Sequence, residues 1–472
     1  MKTLSNKSYA KFFGEALKEA VLDVMPDMAQ DPLDAHPVLQ NFLHHISSPM
    51  VHPNHMPGRT RNLYNNGEVV TEEAPAPAQA PPPQKPSKQA ILNKKPKALP
   101  LSVRDPGKLD FQHKEIERMQ NEGKAALEKR GGNPFEHKRK GFHAAFNVDP
   151  CTGIEGPPED PAIANQKLKG AKSAFTNFLV QRGKLQPSTA SDANIFGENH
   201  KTLSSAGVGY KTIGVSLAPS HHSGYKHDMC PNASKECRDN CLGLKAGGNR
   251  QFPLNTLRAK ILRTHFIHEH PEEAARLMHH EITRNEQAAH AIGYKSGIRL
   301  NVTSDVPYEH LMPRKFFTSH QDSPEKPGTQ FYDYTKMHGR LGHKDMPPNY
   351  ALSLSHTGTG HGESNDKQAV KHLNNGGVLS MVYQRGKNIP HPTHVEDVQS
   401  GKRWKIARGD DDDNVFDRHA AAGVPQGEGV VSGLALKGVS NQQAGHFANK
   451  VDPDGIIRIN HPQQQQPFNV LK

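Results

Sequence analysis

Along this chain the spacing of apolar residues changes from a helical period to short strand-like runs near residue 205. Near the N-terminus, residues 8–25 repeat apolar side chains three or four positions apart, the spacing of one face of a helix. This helix is predicted to end before Pro26, because proline cannot continue the helical hydrogen-bond pattern. A second short helix is predicted over residues 38–46. We therefore expect a small helical region over residues 1–66.

Six short apolar runs follow residue 205, with longer segments between them. The predicted strands are Thr212–Leu217, Ile298–Thr303, Gln330–Tyr334, Tyr350–Ser355, Val378–Tyr383 and Val430–Leu436. Between the first two, residues 253–288 predict a long helix that Pro271 interrupts. Strands that alternate with longer segments are typical of βα units and a parallel sheet. The predicted fold class is therefore α/β, with a partial or full (βα) barrel over residues 205–440 and ligands at the carboxyl ends of its strands.

The segments outside this domain have a different composition. Six prolines between residues 72 and 90 predict a semi-extended spacer. Residues 91–140 contain 13 Lys and Arg against 7 Asp and Glu, and residues 110–130 predict a charged helix that ends at Gly131 and Gly132. We expect residues 67–140 to be a disordered Pro-rich and basic linker. Residues 141–204 form a poorly defined lead-in, and residues 441–472 form a partly disordered tail.

Composition and charge narrow the class of protein. Of the 472 residues 34% are hydrophobic, and the mean hydropathy is −0.75, so a compact core is expected over about half the chain. The formal charge of +11 suits a polyanionic partner, and the basic 91–140 arm is the candidate contact to nucleic acid, with a solvated linker as the alternative. No apolar stretch approaches the roughly 20 residues of a membrane span, and Glu15, Glu19 and Asp23 interrupt any signal peptide. We expect a cytoplasmic protein.

Three of the four cysteines lie within twelve residues, in a C-x6-C-x3-C array formed by Cys230, Cys237 and Cys241. Thiolates this close in sequence are soft ligands that suit an iron–sulfur cluster or zinc. If Ser234 caps a short helix, Cys237 and Cys241 lie one turn apart on the same face. The fourth cysteine, Cys151, is expected to be a buried thiol without a metal.

The sequence leaves the metal open between two alternatives. Structural zinc usually has four ligands at shorter spacings, so a histidine would have to complete the site; the nearby candidates are His221, His222 and His227. The other alternative is a four-iron cluster that three thiolates hold, with one iron open to a cofactor or substrate. Few cysteines and their clustering also argue against a disulfide framework.

Charged residues beside the predicted strands are further candidates. Asp305 follows a strand and is either a ligand-binding carboxylate or a turn residue. Arg299 and Lys336 lie near strand ends, where they could bind a phosphate or carboxylate or be ordinary surface charges. Asp410 to Asp413 could bind a divalent cation, although an acidic solvated loop is the preferred interpretation. No P-loop, dinucleotide-binding glycine pattern or Ser-His-Asp signature is present in the sequence.

Several of these segments resemble a phage-encoded family known by its gene-product number, eighty-eight. The cysteine segment 230–241 looks like the family's Cys signature, and Arg299 to Asp305 is similar to its Arg-x-His-x-Ser-Gly-Asp segment. Phe331 to Lys336 resembles its aromatic-x-Tyr-Thr-Lys strand, and Val430 to Gly438 resembles its closing strand. The resemblance covers roughly residues 205–440. It implies a phage or prophage origin, and a family whose biochemical activity is not established.

A looser resemblance is to radical S-adenosylmethionine enzymes, which also place three cysteines in the loop after the first barrel strand. It implies a [4Fe-4S] cluster on Cys230, Cys237 and Cys241, with S-adenosylmethionine bound through its amino and carboxylate groups at the open iron. Ser304 and Asp305 occupy the place of the polar turn that contacts the cofactor amine in those enzymes. The spacing differs, because those enzymes usually have C-x3-C-x2-C.

Two functional hypotheses follow. The first is an iron–sulfur, radical-S-adenosylmethionine-like enzyme that acts on a nucleotide or nucleic-acid-related substrate, with Ser304, Asp305, Lys336 and Arg299 as cofactor-binding residues. The second is a non-catalytic phage protein that zinc stabilises and that binds nucleic acid through the 91–140 arm. The identity of the metal distinguishes them.

Overall fold

The computed structural model describes residues 64–65, 68–69, 106–225, 227–239, 241, 245–246, 250–251, 254–323, 328–359, 364–412, 414–437 and 439–460. The predicted helices at 8–25 and 38–46 and the Pro-rich spacer at 72–90 lie outside these residues. The chain divides into two compact units, residues 1–95 and residues 96–472. In the first unit, two short antiparallel strands are described, β1 (Tyr64–Asn65) and β2 (Glu68–Val69).

The second unit contains a ten-stranded sheet and a separate two-stranded hairpin. The hairpin pairs β5 (Lys245–Ala246) with β6 (Arg250–Gln251). The sheet consists of β3 (Phe196–Gly197), β4 (Tyr210–Val215), β7 (Lys295–Arg299), β8 (Thr329–Thr335), β9 (Tyr350–Ser355), β10 (Val378–Tyr383), β11 (His394–Asp397), β12 (Arg403–Arg408), β13 (Val430–Ala435) and β14 (Ile456–Ile459). All six strands predicted from the apolar runs are present, and β9 and β10 have the predicted bounds.

The order of strands across the sheet is β3-β4-β7-β8-β9-β10-β13-β12-β11-β14. From β4 to β12 every neighbouring pair is parallel, whereas β3 and β11 run antiparallel to β4 and β12. The strands from β4 to β10 pair in chain order, as expected for successive βα units. The sheet is open, because β3 and β14 form its two edges, so the expectation of a full barrel is wrong.

Thirteen α-helices lie in the described part of the chain. They are α1 (Pro106–Arg130), α2 (Pro134–Ala145), α3 (Pro161–Gly183), α4 (Pro187–Ser191), α5 (His200–Ser204), α6 (Lys235–Asp239), α7 (Leu254–Glu269), α8 (Pro271–Ala291), α9 (Tyr308–Leu311), α10 (Arg314–Thr318), α11 (Asp366–Asn374), α12 (Arg418–Ala422) and α13 (Asn441–Ala444). Pro271 separates α7 from α8 as predicted, and it occupies the first turn of α8, where a missing N–H costs no hydrogen bond.

The described part of the predicted linker that lies next to the core, residues 106–140, is folded. Helix α1 packs against α7, and α2 packs against α8. Met119 of α1 and Phe142 of α2 are fully buried in the same core cluster as Phe266 of α7 and Phe316 of α10. The interpretation of residues 106–140 as a disordered linker is therefore wrong, because a few apolar side chains attach these charged helices to the core. The prediction that α1 ends before Gly131 is confirmed, and Gly131 has a positive φ.

Some of the basic side chains of residues 91–140 form ion pairs and hydrogen bonds within the molecule. Arg118 forms ion pairs with Glu115 and Glu122, and Arg130 donates to the carbonyl oxygen of His268 at 2.7 Å. Lys138 is buried, with its Nζ 3.4 Å from Nε2 of His268. A nucleic-acid contact through residues 91–140 remains a prediction, and these three cations contribute less to a surface patch than the sequence suggests.

The first part of the predicted tail is folded. Residues 441–460 form α13, a 3-10 helix at Gly445–Phe447 and the edge strand β14, whereas the segment after Asn460, in which disorder is predicted, lies outside the described residues. Strand β14 pairs in parallel with β11 from Ile456 to Ile459. Ile457 and Ile459 of this strand are buried in a second core cluster with Trp404 and Leu379, so the sheet itself orders this segment.

Candidate functional site at the carboxyl edge of the sheet

The three clustered cysteines lie in the segment that follows β4, residues 216–241, which we call the cysteine loop. Strands β4, β7, β8 and β9 are parallel and end at the same edge, where ligands bind in open α/β sheets. The loop contacts the segments after β7 and β8 at this edge. The thiol of Cys230 lies 3.8 Å from the carbonyl oxygen of Thr303, and the Asn232 amide donates to the carbonyl oxygen of Lys336 at 3.4 Å.

The first half of the cysteine loop is held by a short turn around Asp228. Its carboxylate accepts from the main-chain N–H of Cys230 at 2.8 Å and from the hydroxyl of Ser220 at 3.2 Å. Ser220 has a φ of +48°, a left-handed conformation that few non-glycine residues adopt. The main-chain N–H of Asp305 donates to the carbonyl oxygen of Met229 at 2.8 Å, which joins the loop to the turn after β7.

The second half of the loop contains the short helix α6. The hydroxyl of Ser234 accepts from the N–H of Cys237 at 3.2 Å, so the predicted cap is confirmed. Cys241 follows the helix and donates its N–H to the carbonyl oxygen of Arg238 at 3.3 Å. Helix α6 packs against the 3-10 helix at Gly445–Phe447, so the loop is supported from both β7 and the segment after β13.

The three thiols interact electrostatically. Burial raises the pKa of Cys230 to about 12; the N–H of Ser220, which donates to its sulfur, opposes this shift, and the thiols of Cys241 and Cys237 add to it. The neighbouring thiols of Cys241 and Cys237 therefore disfavour the thiolate of Cys230, and a bound cation would reverse that effect. Cys151, by contrast, is exposed, so the expectation that it is a buried thiol is wrong.

In the described part of the chain, no three His, Cys, Asp or Glu side chains lie close enough together to hold a metal ion. The donor types still suit a soft metal, because three thiols and a main-chain N–H to sulfur occur in one loop. Of the candidate histidine ligands, His227 stacks on Tyr225 and His268, with centroid distances of 5.3 and 4.8 Å. Nε2 of His221 lies 3.4 Å from the carboxylate of Asp228.

Ser304 and Asp305 stabilise the turn after β7. The hydroxyl of Ser304 donates to the side-chain oxygen of Asn301 at 2.8 Å. One carboxylate oxygen of Asp305 accepts from the N–H of Lys336 at 2.8 Å and from the hydroxyl of Thr335 at 3.1 Å. The other oxygen receives Arg340 at 2.5 Å. Both side chains therefore have a structural role, and their predicted contact with a cofactor remains a prediction.

A buried polar network, which the sequence analysis missed, lies under this turn. The carboxylate of Asp333 accepts from the side-chain amide and the main-chain N–H of Asn301, and from the hydroxyl of Tyr350. Arg340 forms two hydrogen bonds with Glu309, at 2.7 and 2.8 Å, and also donates to Tyr350. Burial raises the pKa of Asp333 to about 6, although Arg340, Tyr350 and Asn301 favour its charged form. The sequence signal that could have revealed this network is Asp333 itself, a charged residue at a buried position of a predicted strand.

The two predicted cations at this edge lie on either side of the turn. The guanidinium of Arg299 stacks on the ring of Tyr334 at 4.6 Å and donates to the carbonyl oxygen of Asn301 at 3.1 Å. The ammonium of Lys336 donates to the carbonyl oxygen of His356 at 3.1 Å and lies 5.7 Å from the ring of Phe447. His356, at the end of β9, pairs with Asp366 at 2.7 Å, and the pair is buried.

The acidic residues 410–413 stabilise their own loop. Asp410 pairs with Lys437 at 2.7 Å and accepts from the N–H of Ala435, and Asp412 pairs with the buried Arg418 at 2.9 Å. Asp413 lies outside the described residues. These contacts connect β12 to the segments around α12 and β13, and they favour a structural loop over a cation site.

Comparison with protein-family models shows to which family the chain belongs. The family model described as gene product 88 matches residues 188–450, more than half of the 472 residues. The chain belongs to the gene product 88 family. The match includes the cysteine loop and every strand of the sheet from β3 to β13, so the resemblance of the chain to this phage family is confirmed.

Membership of the gene product 88 family identifies a phage protein family and does not assign an activity. No curated protein and no solved structure matches the chain. None of the helices in the described ranges has the length and apolar character needed to cross a membrane.

Proposed function

We propose that the cysteine loop of this gene product 88 protein holds a metal centre, and that the protein is an iron–sulfur enzyme that uses S-adenosylmethionine. The observation that carries the proposal is the place of the loop. It follows the first of five parallel strands that pair in chain order, and Cys230, which interacts electrostatically with Cys237 and Cys241, lies beside Thr303 in the segment after β7. Ligands of parallel α/β sheets bind at this edge.

In this proposal Cys230, Cys237 and Cys241, whose thiols lie too far apart in this structure to bind one metal ion, come together to hold a [4Fe-4S] cluster. When bound, such a cluster supplies one-electron reduction of S-adenosylmethionine. The chain's own contribution is to hold the ligands: the N–H of Ser220 donates to the sulfur of Cys230 and favours its thiolate, and Ser234 fixes the helix that carries Cys237.

The turn after β7 supports the same edge from below. Asp305 binds Arg340 and the N–H of Lys336, and its own N–H holds Met229, the residue before Cys230. We infer that Ser304 and Asp305 form the wall that faces the cofactor. Arg299 and Lys336 supply positive charge for its carboxylate or for a phosphate of a nucleotide substrate.

The test is the metal content of anaerobically purified full-length protein. We expect a brown protein with iron and sulfide in equal amounts, and loss of both in Cys230→Ala and in Cys237→Ala. Cys151→Ala is the matched control and should keep them, because this thiol is exposed and outside the loop. Reduced protein should then cleave S-adenosylmethionine. A colourless protein without iron after reconstitution rules out the cluster.

One observation favours zinc as a second candidate. The imidazole of His221 faces the carboxylate of Asp228 at 3.4 Å within the cysteine loop, and zinc-binding histidines commonly have such a carboxylate partner. His221 and the three thiols would then form a structural site in a non-catalytic protein that binds nucleic acid through residues 91–140. One zinc per chain, lost in His221→Ala, would support it; zinc that His221→Ala leaves unchanged would exclude this ligand set.

A further inference from the structure

A second candidate site lies among the helices, in a cleft that no residue of the cysteine loop lines. The cleft has a volume of about 460 Å³ and is lined by α2, α3, α8 and α10 together with the segment between α2 and α3. This volume is within the range of small-molecule sites. The residues used below are Phe146, Pro157, Leu168, Arg276, His279 and Lys315.

A chain of three titratable side chains leads from the core into this cleft. Glu286 and His320 are buried, and the carboxylate of Glu286 lies 3.2 Å from Nδ1 of His320. Nε2 of His320 lies 2.9 Å from Nδ1 of His279, which lines the cleft. The other carboxylate oxygen of Glu286 accepts from the hydroxyl of Thr329, the first residue of β8. This row of three side chains therefore starts at the amino end of the sheet, opposite to the cysteine loop.

These contacts determine which ring nitrogens of His320 and His279 carry a proton. The carboxylate of Glu286, 3.2 Å from Nδ1 of His320, favours a proton on that nitrogen, although the two atoms are not in hydrogen-bond geometry, so Nε2 of a neutral His320 accepts from Nδ1–H of His279. Nε2 of His279 then carries a lone pair and can accept a proton. An ionised Glu286 compensates the positive charge that results within this row of side chains, as in other carboxylate–histidine pairs.

The lining of the cleft combines two cations, each paired with a carboxylate, and the carboxylate of Glu159 with an apolar wall. Arg276 lies one turn before His279 on the same face of α8, and Lys315 faces the cleft from α10. Their ion pairs with Glu159 and Glu155, both at 3.0 Å, hold the two cations in place. Burial lowers the pKa of the neighbouring His280, and Lys172 and Arg284, which lie outside the lining, lower it further.

We propose that this cleft binds a small organic anion and that His279 exchanges a proton with it. The apolar part of the ligand packs on Phe146, Pro157 and Leu168, and its phosphate or carboxylate lies near Arg276 and His279. The proton moves between the acidic group and Nε2 of His279, with no change of oxidation state and no further reactant. The inference is independent of the metal proposed for the cysteine loop.

The experiment uses the full-length protein, with binding measured by calorimetry and the histidine ring signals by NMR. The probes are adenosine 5′-monophosphate and benzoate, which separate phosphate from carboxylate, and adenosine, which has no anionic group. We expect an anionic probe to bind, to shift the ring signals of His279 and to bind about tenfold or more weakly in Arg276→Gln, the loss expected for one charge-assisted hydrogen bond. Adenosine should bind equally to both proteins.

Matched variants on α3 decide where the probe binds. Ala164→Trp fills the cleft and should abolish binding, whereas Gln166→Trp, two residues further on the same helix and outside the lining, should not. Asn165→Trp replaces the first variant if that one does not fold. Glu286→Gln should lower the pKa of His279, seen in its NMR titration, which a purely structural role would not cause. No binding by either anion, or binding unchanged when the cleft is filled, overturns the proposal.

Discussion

The guanidinium of Arg340 lies 2.5 Å from the carboxylate of Asp305, and both side chains are buried below the turn after β7. Arg340 also pairs with Glu309 at 2.7 Å. Replacing Arg340 by Leu leaves two buried carboxylates without their cation. We expect Arg340→Leu to lower the free energy of unfolding by about 3–5 kcal/mol in urea denaturation.

An exposed arginine provides the control for this prediction. Arg403 pairs with Glu396 at 2.6 Å, but half of its side chain is in solvent. We expect Arg403→Leu to change stability by less than about 1 kcal/mol. Equal losses of unfolding free energy in the two variants would mean that burial does not increase the contribution of the Arg340–Asp305 ion pair to stability.

Asp333 gives the fold a defined pH dependence. Its pKa in the folded protein is about 6, above the ordinary value of 3.8, because burial favours the neutral form. The stabilisation from its protonation is complete below pH 3.8 and is lost as pH rises through 6. Relative to Asp333→Asn, the wild-type free energy of unfolding should fall by about 2–2.5 kcal/mol between pH 4 and pH 7, measured in urea. A constant difference between the two proteins would contradict this.

Lys138 is a buried cation that reduces stability at neutral pH. Burial lowers its pKa from 10.5 to about 8, so stability is lost as pH falls through 8 and the lysine becomes charged. We expect Lys138→Met to raise the free energy of unfolding by about 2–3 kcal/mol at pH 7 and by less than about 1 kcal/mol at pH 10. Lys140→Met, at an exposed position of the same helix, should stay within about 0.5 kcal/mol at both pH values.

Gly358 allows a close approach that supports the cysteine loop. It has a φ of +99°, and a Cβ at this position would collide with the carbonyl oxygen of His446, in the 3-10 helix that packs on α6. We expect Gly358→Ala to lower the melting temperature, with a loss of about 2 kcal/mol or more. Gly170→Ala is the matched control; it lies inside α3 in open space and should stabilise by about 0.5–1 kcal/mol.

The parts of the fold that were predicted from sequence are those set by local pattern. The strands β9 and β10 have the expected bounds because short apolar runs are bounded by turn residues. The separation of α7 from α8 at Pro271 and the cap of α6 by Ser234 were predicted because proline geometry and a capping hydroxyl act within a few residues. The family resemblance came from the same local segments.

The sequence by itself therefore determined an α/β domain with a cysteine loop after its first parallel strand. Only the tertiary structure decided that the sheet stays open, that α1 and α2 join the core through Met119 and Phe142, and that Asp305 binds Arg340 below the turn. The physical reason is that these features depend on contacts between residues far apart in the chain. Charge and periodicity along a single segment do not identify the distant partner that buries or neutralises a side chain.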